Sequence, residues 1–286
     1  MNIRIVRKKI KSVINVKKIT KAMQLVSAIK MKKAQQVALD GKPYQTEIEK
    51  IIRAVSPKID PSLSPLIGSR GDKKVMKNLA IVIASNKGLC GSFNFNLLRF
   101  IVKNVDFKNT DFIIIGKKAN LLSKFSAHIM ADYSSNIPIN NVSALFEFAL
   151  NKYLDETYKQ VDLFHNQFVS TTQSNPTITP LLPIHFSEKT ETNKIEGKTY
   201  EYLIEPDPKQ IIDSLLRSYV EERLRFALIE SEAGEHSQRM MAMKNATDNA
   251  TDVIYNLTLV RNKVRQEKIT NELLDMITAK ESVESN

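Results

Sequence analysis

The chain has no tryptophan and only one cysteine in 286 residues. None of its apolar runs approaches the roughly 18 residues that cross a bilayer. A single Cys90 excludes an internal disulfide and a cysteine-based structural zinc site, and it fits a reducing compartment. No apolar segment follows the basic start, so a secretory signal is not expected. Catalytic signatures are also missing. The four histidines, His128, His165, His185 and His236, are far apart and lack H-x-x-x-H or H-E-x-x-H spacing. There is no G-x-S-x-G elbow and no clustered carboxylate pair in a recognisable loop. The expectation is a protein that is not an enzyme, with no catalytic residue, no cofactor and no metal. His236 reads as a satisfied core residue.

Two further absences point to architecture. After Pro208 there is no proline and one glycine, Gly234, so nothing there stops a helix. Phe226, Ile229, Ala233, His236, Met240, Met243, Thr247, Ala250, Ile254 and Leu257 alternate in steps of three and four, the seam of a coiled coil. At Val260 and Val264 the alternation slips, which predicts a local overwinding. A helix of that extent is about 110 Å long and needs a partner along its length. Residues 1–40 contain no glycine or proline, and Val6, Ile10, Val13, Val16, Ile19, Met23, Val26 and Ile29 recur at helical spacing. Gly41-Lys42-Pro43 predicts an interruption, with helix resuming over Tyr44–Val55. Small and polar seam residues (Ala, His, Thr) suit close packing on a different helix better than a parallel homodimer. The expected fold is an α/β domain inserted between two long terminal helices that form an antiparallel coiled coil. The expected boundaries are 1–56 for the first helix, 57–207 for the domain and 208–286 for the second helix.

Acidic residues are absent from positions 1–39, which hold eleven of the 42 basic side chains. The remaining chain balances to zero, so the whole net charge of +11 sits on the first helix. A solvated face normally mixes signs, and a mitochondrial transit peptide is rich in Arg and Ser rather than Lys. The favoured reading is a surface facing an acidic partner, whether protein, nucleic acid or anionic lipid.

The middle of the chain reads as β-α-β-α-β-α-β. Continuous apolar runs at 79–84 and 111–116 suit parallel strands covered on both faces. Further strands are expected at 127–131 and over 161–172, starting at Gln160, with a short one at 200–204. Helices are expected at 95–105, 117–125 and 142–157, while 56–76 and 173–198 read as proline- and polar-rich loops. Ser85–Asn94, between the first strand and its helix, lies where α/β folds often hold phosphate. Its glycine spacing matches no phosphate-binding motif, so it reads as a tight turn with Cys90 a small packed thiol.

The two ends together resemble the γ subunit of F-type ATP synthases. The N-terminal match is Arg7-Lys8-Lys9-Ile10-Lys11-Ser12-Val13, Lys18-Ile19-Thr20-Lys21-Ala22-Met23 and Lys30-Met31-Lys32-Lys33-Ala34-Gln35. In the middle it is Lys87-Gly88-Leu89-Cys90-Gly91-Ser92-Phe93-Asn94. Towards the C-terminus it is Glu230–His236, Arg239–Ala250, Leu257-Thr258-Leu259, Asn262–Gln266 and Ile269–Leu273. The motifs keep their order from one end of the chain to the other. Ser85-Asn86-Lys87 and Ser92 depart from the Asp-Arg pair and further glycine common in the family.

The resemblance implies a central rotor shaft that carries torque from an ion-driven membrane ring to a catalytic head. The implied partners are the α and β subunits at the head, and the ε subunit and the c-ring at the foot. By position, Lys18, Lys21 and Met23 would face an acidic loop of β, while Arg265, Gln266 and Thr270 would contact the ring's catch loops. Residues 273–280 would turn in an apolar sleeve. The implied location is the cytoplasmic face of a bacterial membrane, as a peripheral member of the complex. With Cys90 alone, no dithiol switch of the chloroplast kind is expected. The competing reading is a nucleic-acid-binding coiled coil using the basic helix. Against it, nine of the eleven basic residues are Lys and the first aromatic is Tyr44, a poor set for base stacking.

Overall fold

A computed structural model describes residues 2–55, 64–67, 77–135, 138–184 and 208–284. Its elements run α1 (Ile3–Val55), β1 (Lys77–Ile83), α2 (Phe93–Asn104), β2 (Thr110–Ile115), β3 (His128–Asp132), α3 (Val142–Leu154), β4 (Tyr158–Phe168), β5 (Ser174–Leu182) and α4 (Pro208–Glu284). Short 3-10 helices cover Lys117–Phe125 and Pro138–Asn141. The residues form two compact units: one joins the chain up to Ser27 with the chain from Arg239 onward, and the other is Ala28–Gln238.

In the first unit α1 and α4 run antiparallel. Thr20 lies opposite Thr247, with their hydroxyl oxygens 2.8 Å apart, while Ile5 and Val13 share an apolar groove with Val253 and Leu257. Each hydroxyl also has a backbone carbonyl in reach, that of Met243 for Thr247 at 2.8 Å and that of Lys17 for Thr20 at 3.1 Å, so either one can donate across the pair. Along α4 the buried positions are Met243, Thr247 and Ala250, followed by half-buried Ile254, Leu257, Arg261 and Val264. The three-four alternation therefore continues through Arg261 instead of slipping at Val260, and no overwinding is needed to keep the seam in phase.

The seam of α1 differs from the apolar stripe. Val6, Ile10, Val13 and Met23 do face inward, but Val16, Ile19 and Val26 are 52%, 59% and 54% exposed. The buried or half-buried positions include 6, 10, 13, 17, 20, 24, 27, 31 and 34, an uninterrupted alternation of fours and threes, with Met23, Ala28 and Gln35 half-buried beside it. Among them the small Thr20, Ser27 and Ala34 are buried, beside Val6 and Ile10. Small side chains let two helices approach closely, and a hydroxyl is tolerated there because it finds a partner. Helix α1 also continues through Gly41 and Pro43, where an interruption was expected. Proline removes one helical hydrogen bond, but residues 39–44 are all exposed, so water can serve the Leu39 carbonyl.

The second unit is built on a five-stranded sheet of order β3-β2-β1-β4-β5. Its β1, β2, β3 and β4 are parallel, and β5 joins β4 antiparallel. One face, with Leu79, Ile81, Ile113 and Leu163, packs on α3 through Leu145 and Leu150 and on α4 through Ile212, Leu216, Val220 and Leu224. Ile48 and Ile52 of α1 join the same core. The opposite face, with Ala80, Val82, Phe112 and Ile114, is covered by Leu97 and Ile101 of α2 and by Leu122. Parallel strands buried on both sides account for their unbroken apolar runs.

The segment expected as a loop at 173–198 contains β5. Pro176 and Pro180 hid it, yet proline is tolerated on an edge strand, which needs its N–H groups on one side only. The strand expected over 161–172 begins earlier, at Tyr158, and ends at Phe168. The helix expected to reach residue 157 stops at Leu154, with Glu156 in the left-handed region at φ 56°. The short strand expected at 200–204 lies outside the described residues. Gly116 ends β2 at φ 97°, where an added Cβ would meet the Ala84 carbonyl oxygen at 2.0 Å. Only glycine fits that crossing.

Replacing Met243, which is 4% exposed, by Asp buries an unpaired carboxylate in the seam. The expected cost is on the order of several kcal/mol. Thermal melts followed by circular dichroism should show a clearly lower midpoint, and an unchanged melt would mean that the seam is misplaced.

Candidate functional surfaces

Lys18 and Lys21 are exposed and flank the buried Thr20, so the pairing that buries Thr20 turns both ammonium groups outward. Lys21 reaches Gln24 at 3.3 Å, and Met23 is half-buried. On α4, Arg265, Gln266 and Thr270 are exposed, the Thr270 hydroxyl donating to the Gln266 carbonyl at 3.0 Å. The structure does not bring the two sets together. Thr20 faces Thr247, and Arg265 lies about 27 Å farther along α4 at the rise of a helix. All residues from 265 to 280 are exposed, among them Leu273, Leu274, Met276 and Ile277. These four apolar side chains lie exposed among the charged Glu272, Asp275 and Lys280.

The Ser85–Asn94 loop turns its polar groups on itself. The Asn94 carboxamide accepts from the Ser85 N–H at 3.0 Å and donates to the Ser85 hydroxyl at 2.7 Å. That hydroxyl donates to the Lys87 carbonyl at 2.7 Å, and the Asn94 amide nitrogen lies 3.1 Å from Cys90 Sγ. Asn86 bridges outward, donating to the Ser135 carbonyl at 2.6 Å and accepting from the Lys117 N–H at 3.2 Å. Leu89 and Gly91 carry φ of 61° and 59°, and Cys90 is buried. The loop is a tight structural turn with a packed thiol. Asn86, which stands in the segment that departs from the family, helps hold it.

The described histidines each sit by a carboxylate. Nε2 of buried His236 is 3.6 Å from Glu232, and Nε2 of His165 is 3.6 Å from Glu230. Nδ1 of His128 is 3.0 Å from Asp111. His185 lies outside the described residues. Among the described residues no group of His, Cys, Asp and Glu is placed to hold a metal ion. The hydrogen bond to His236 lowers the Glu232 pKa against the opposing effect of burial, with Lys30 and Lys33 adding to the lowering.

Asp111 was not singled out from sequence. Its carboxylate accepts from the Tyr158 hydroxyl at 2.8 Å and from Lys77 Nζ at 3.1 Å, besides its contact with His128. These four residues stand at the starts of β2, β4, β1 and β3, so one carboxylate ties four strands together. Burial would raise its pKa, but the bonds from Tyr158, Lys77 and His128 outweigh burial and hold it below the ordinary aspartate value. Burial, then Asp111 itself, pushes the Tyr158 phenol up. The sequence signal was an aspartate at the head of an otherwise apolar strand.

Two long antiparallel helices, an α/β unit and exposed basic and apolar surfaces define a coiled-coil subunit that works through partners. The ATP synthase family model matches residues 2–283. The chain is 36% identical over 293 residues to an ATP synthase gamma chain of Akkermansia muciniphila, covering 99% of each. It is 37% identical over 291 residues to one from Dehalococcoides mccartyi (strain CBDB1), covering 96% of this chain and 97% of the relative. It belongs to the ATP synthase gamma-chain family. Its fold is similar to that of a chain in the cryo-EM structure of the Euglena gracilis mitochondrial ATP synthase (OSCP/F1/c-ring, rotational state 3). The TM-score is 0.66 at 17% identity, covering 98% of this chain and 94% of that one.

The clasp predicts a pH dependence. A lowered carboxylate pKa contributes stability that is present above the unfolded value of about 3.9 and is lost as pH falls through the folded value. Asp111→Asn should therefore lower stability at neutral pH and flatten the loss below about pH 4, read from denaturant unfolding between pH 3 and 7. Parallel pH curves for the two proteins would refute the clasp.

Proposed function

We propose that this chain is the non-catalytic central rotor shaft of an F-type ATP synthase. In this role it carries torque between an ion-driven c-ring and the catalytic α/β ring, making ATP when the ion gradient drives it. The observation that carries the reading is α4. Its first part is built into the sheet's core, its middle is paired with α1, and residues 265–280 are wholly exposed and apolar-rich. An exposed end of that kind suits rotation inside a sleeve of other subunits, because apolar contact is non-directional and grips little at any one angle. ATP chemistry would reside on the partners. The α/β unit would be the foot, held by ε and the c-ring. The three-part division at 1–56, 57–207 and 208–286 describes these roles. The two-unit partition cuts both long helices, because compactness follows contacts and not roles.

In this reading the exposed ammonium groups of Lys18 and Lys21 face an acidic loop of β, with Met23 reaching it only by its exposed part. Arg265, Gln266 and Thr270 meet the catch loops of the ring. No described helix is long and apolar enough to cross a membrane, so attachment to it would run through the complex, at the cytoplasmic face of a bacterial membrane. Nothing in the fold or among the relatives favours the nucleic-acid reading of the basic helix.

The direct test is ATPase activity of the organism's α and β subunits, co-expressed with and without this chain. One copy in a stable complex whose activity depends on it is expected. Failure to associate where α and β themselves assemble would reject the role. Within the assembled enzyme, Lys18→Glu with Lys21→Glu should weaken the coupling of ion flow to ATP synthesis and leave the isolated fold intact. Normal coupling in that variant would remove these lysines from the docking surface.

A further inference from the structure

Resting on the rotor reading, we propose that the turn between β4 and β5 is the mechanical joint through which the sheet turns α4. Glu230, Gly234 and Ser237 recur at spacings of four and three, so they share one face of α4, and Gln238 lies at its edge. Each meets the β4–β5 hairpin or its surroundings. The Ser237 hydroxyl donates to the Thr171 carbonyl, and the Gln238 amide donates to the Thr172 carbonyl at 3.1 Å. Gly234 lies where a Cβ would stand 3.4 Å from the Phe93 ring and 3.5 Å from the Ser174 side chain. Glu230 approaches buried His165 of β4 at 3.6 Å. The turn is itself closed by backbone hydrogen bonds. Val169 and Ser170 donate to the Gln173 carbonyl at 3.2 and 3.0 Å, and the Gln173 N–H donates to the Ser170 carbonyl at 3.2 Å.

The same helix is also held to the sheet by Ile212, Leu216, Val220 and Leu224. That contact is apolar and resists separation, and turning the helix about its axis would carry this stripe out of the core into water. Hydrogen bonds to two backbone carbonyls are directional and weaken steeply when bent. They therefore resist rotation of α4 against the sheet. They also sit at Ser237 and Gln238, where the sheet-bearing unit ends along α4. Gly234, the lone glycine of the helix, lies over Phe93 and Ser174, where a Cβ would make ordinary contact and a larger side chain would press on both.

The test uses the complete ATP synthase in membrane vesicles, carrying the double variant Ser237→Ala/Gln238→Ala or, separately, Gly234→Val. Three quantities are compared with wild type: ATPase activity of the detached head containing this chain, ion-driven ATP synthesis, and the angular spread of a bead fixed to the sheet domain of a head-anchored molecule. The double variant is expected to keep its melting temperature and head ATPase, to lose synthesis against a high ATP/ADP ratio, and to widen the angular spread. Gly234→Val should lose synthesis likewise. Synthesis and angular spread equal to wild type in both variants would overturn the joint. A parallel fall of melting temperature, head ATPase and synthesis would also overturn it, reducing these contacts to ordinary fold stability. Failure of the wild-type chain to assemble with α and β would instead overturn the rotor reading and take the joint with it.

Discussion

Everything in this protein depends on covering one face of α4. A helix of 77 residues gains little from intrinsic propensity, and its persistence in water requires that an apolar face be packed along it. Two partners do this in turn. From Ile212 to Leu228 the face lies on the sheet, and from Met243 to Val264 it meets the N-terminal part of α1. The change of partner falls at the segment from Glu230 to Gln238, where apolar side chains give way to Gly234 and to groups that hydrogen-bond the β4–β5 turn. Beyond Val264 the face is uncovered, and the requirement passes to another molecule.

The partner helix carries a second constraint. Eleven positive charges and no negative ones within residues 1–39 repel each other along α1, a cost that salt screens only partly at about 8–10 Å. The seam offers little relief, because its buried Thr20, Ser27 and Ala34 carry no charge. Where α1 passes Glu232, Lys30 and Lys33 find an opposite charge on α4. A helix that stays this basic when folded is suited to meeting acidic surfaces, and in the rotor reading these belong to the head.

Much of this was legible in the residues. Absence of proline and glycine marks where a helix can run, and apolar runs of about six residues mark doubly covered strands, so the terminal helices and the four parallel strands were readable. The family motifs assign residues to partners by position, a step that rests on resemblance and not on geometry. Three features were not readable. The seam of α1 was misplaced because hydrophobicity favours Val16, Ile19 and Val26, whereas close packing against α4 selects the smaller Thr20 and Ser27. Strand β5 was missed because proline penalises a strand locally, while its cost vanishes at an edge that only the assembled sheet defines. Asp111 was passed over because an isolated carboxylate has no pattern until four strands converge on it.

By itself the sequence determined that both ends form long helices, where the parallel strands lie and the charge carried by α1, since these follow from local backbone freedom and composition. Tertiary structure alone decided which face of α1 is buried, that β5 closes the sheet, and that the lone glycine of α4 meets Phe93 and Ser174. Those outcomes depend on distances between residues remote in the chain. Such distances exist only after the entropy of bringing the segments together has been overcome.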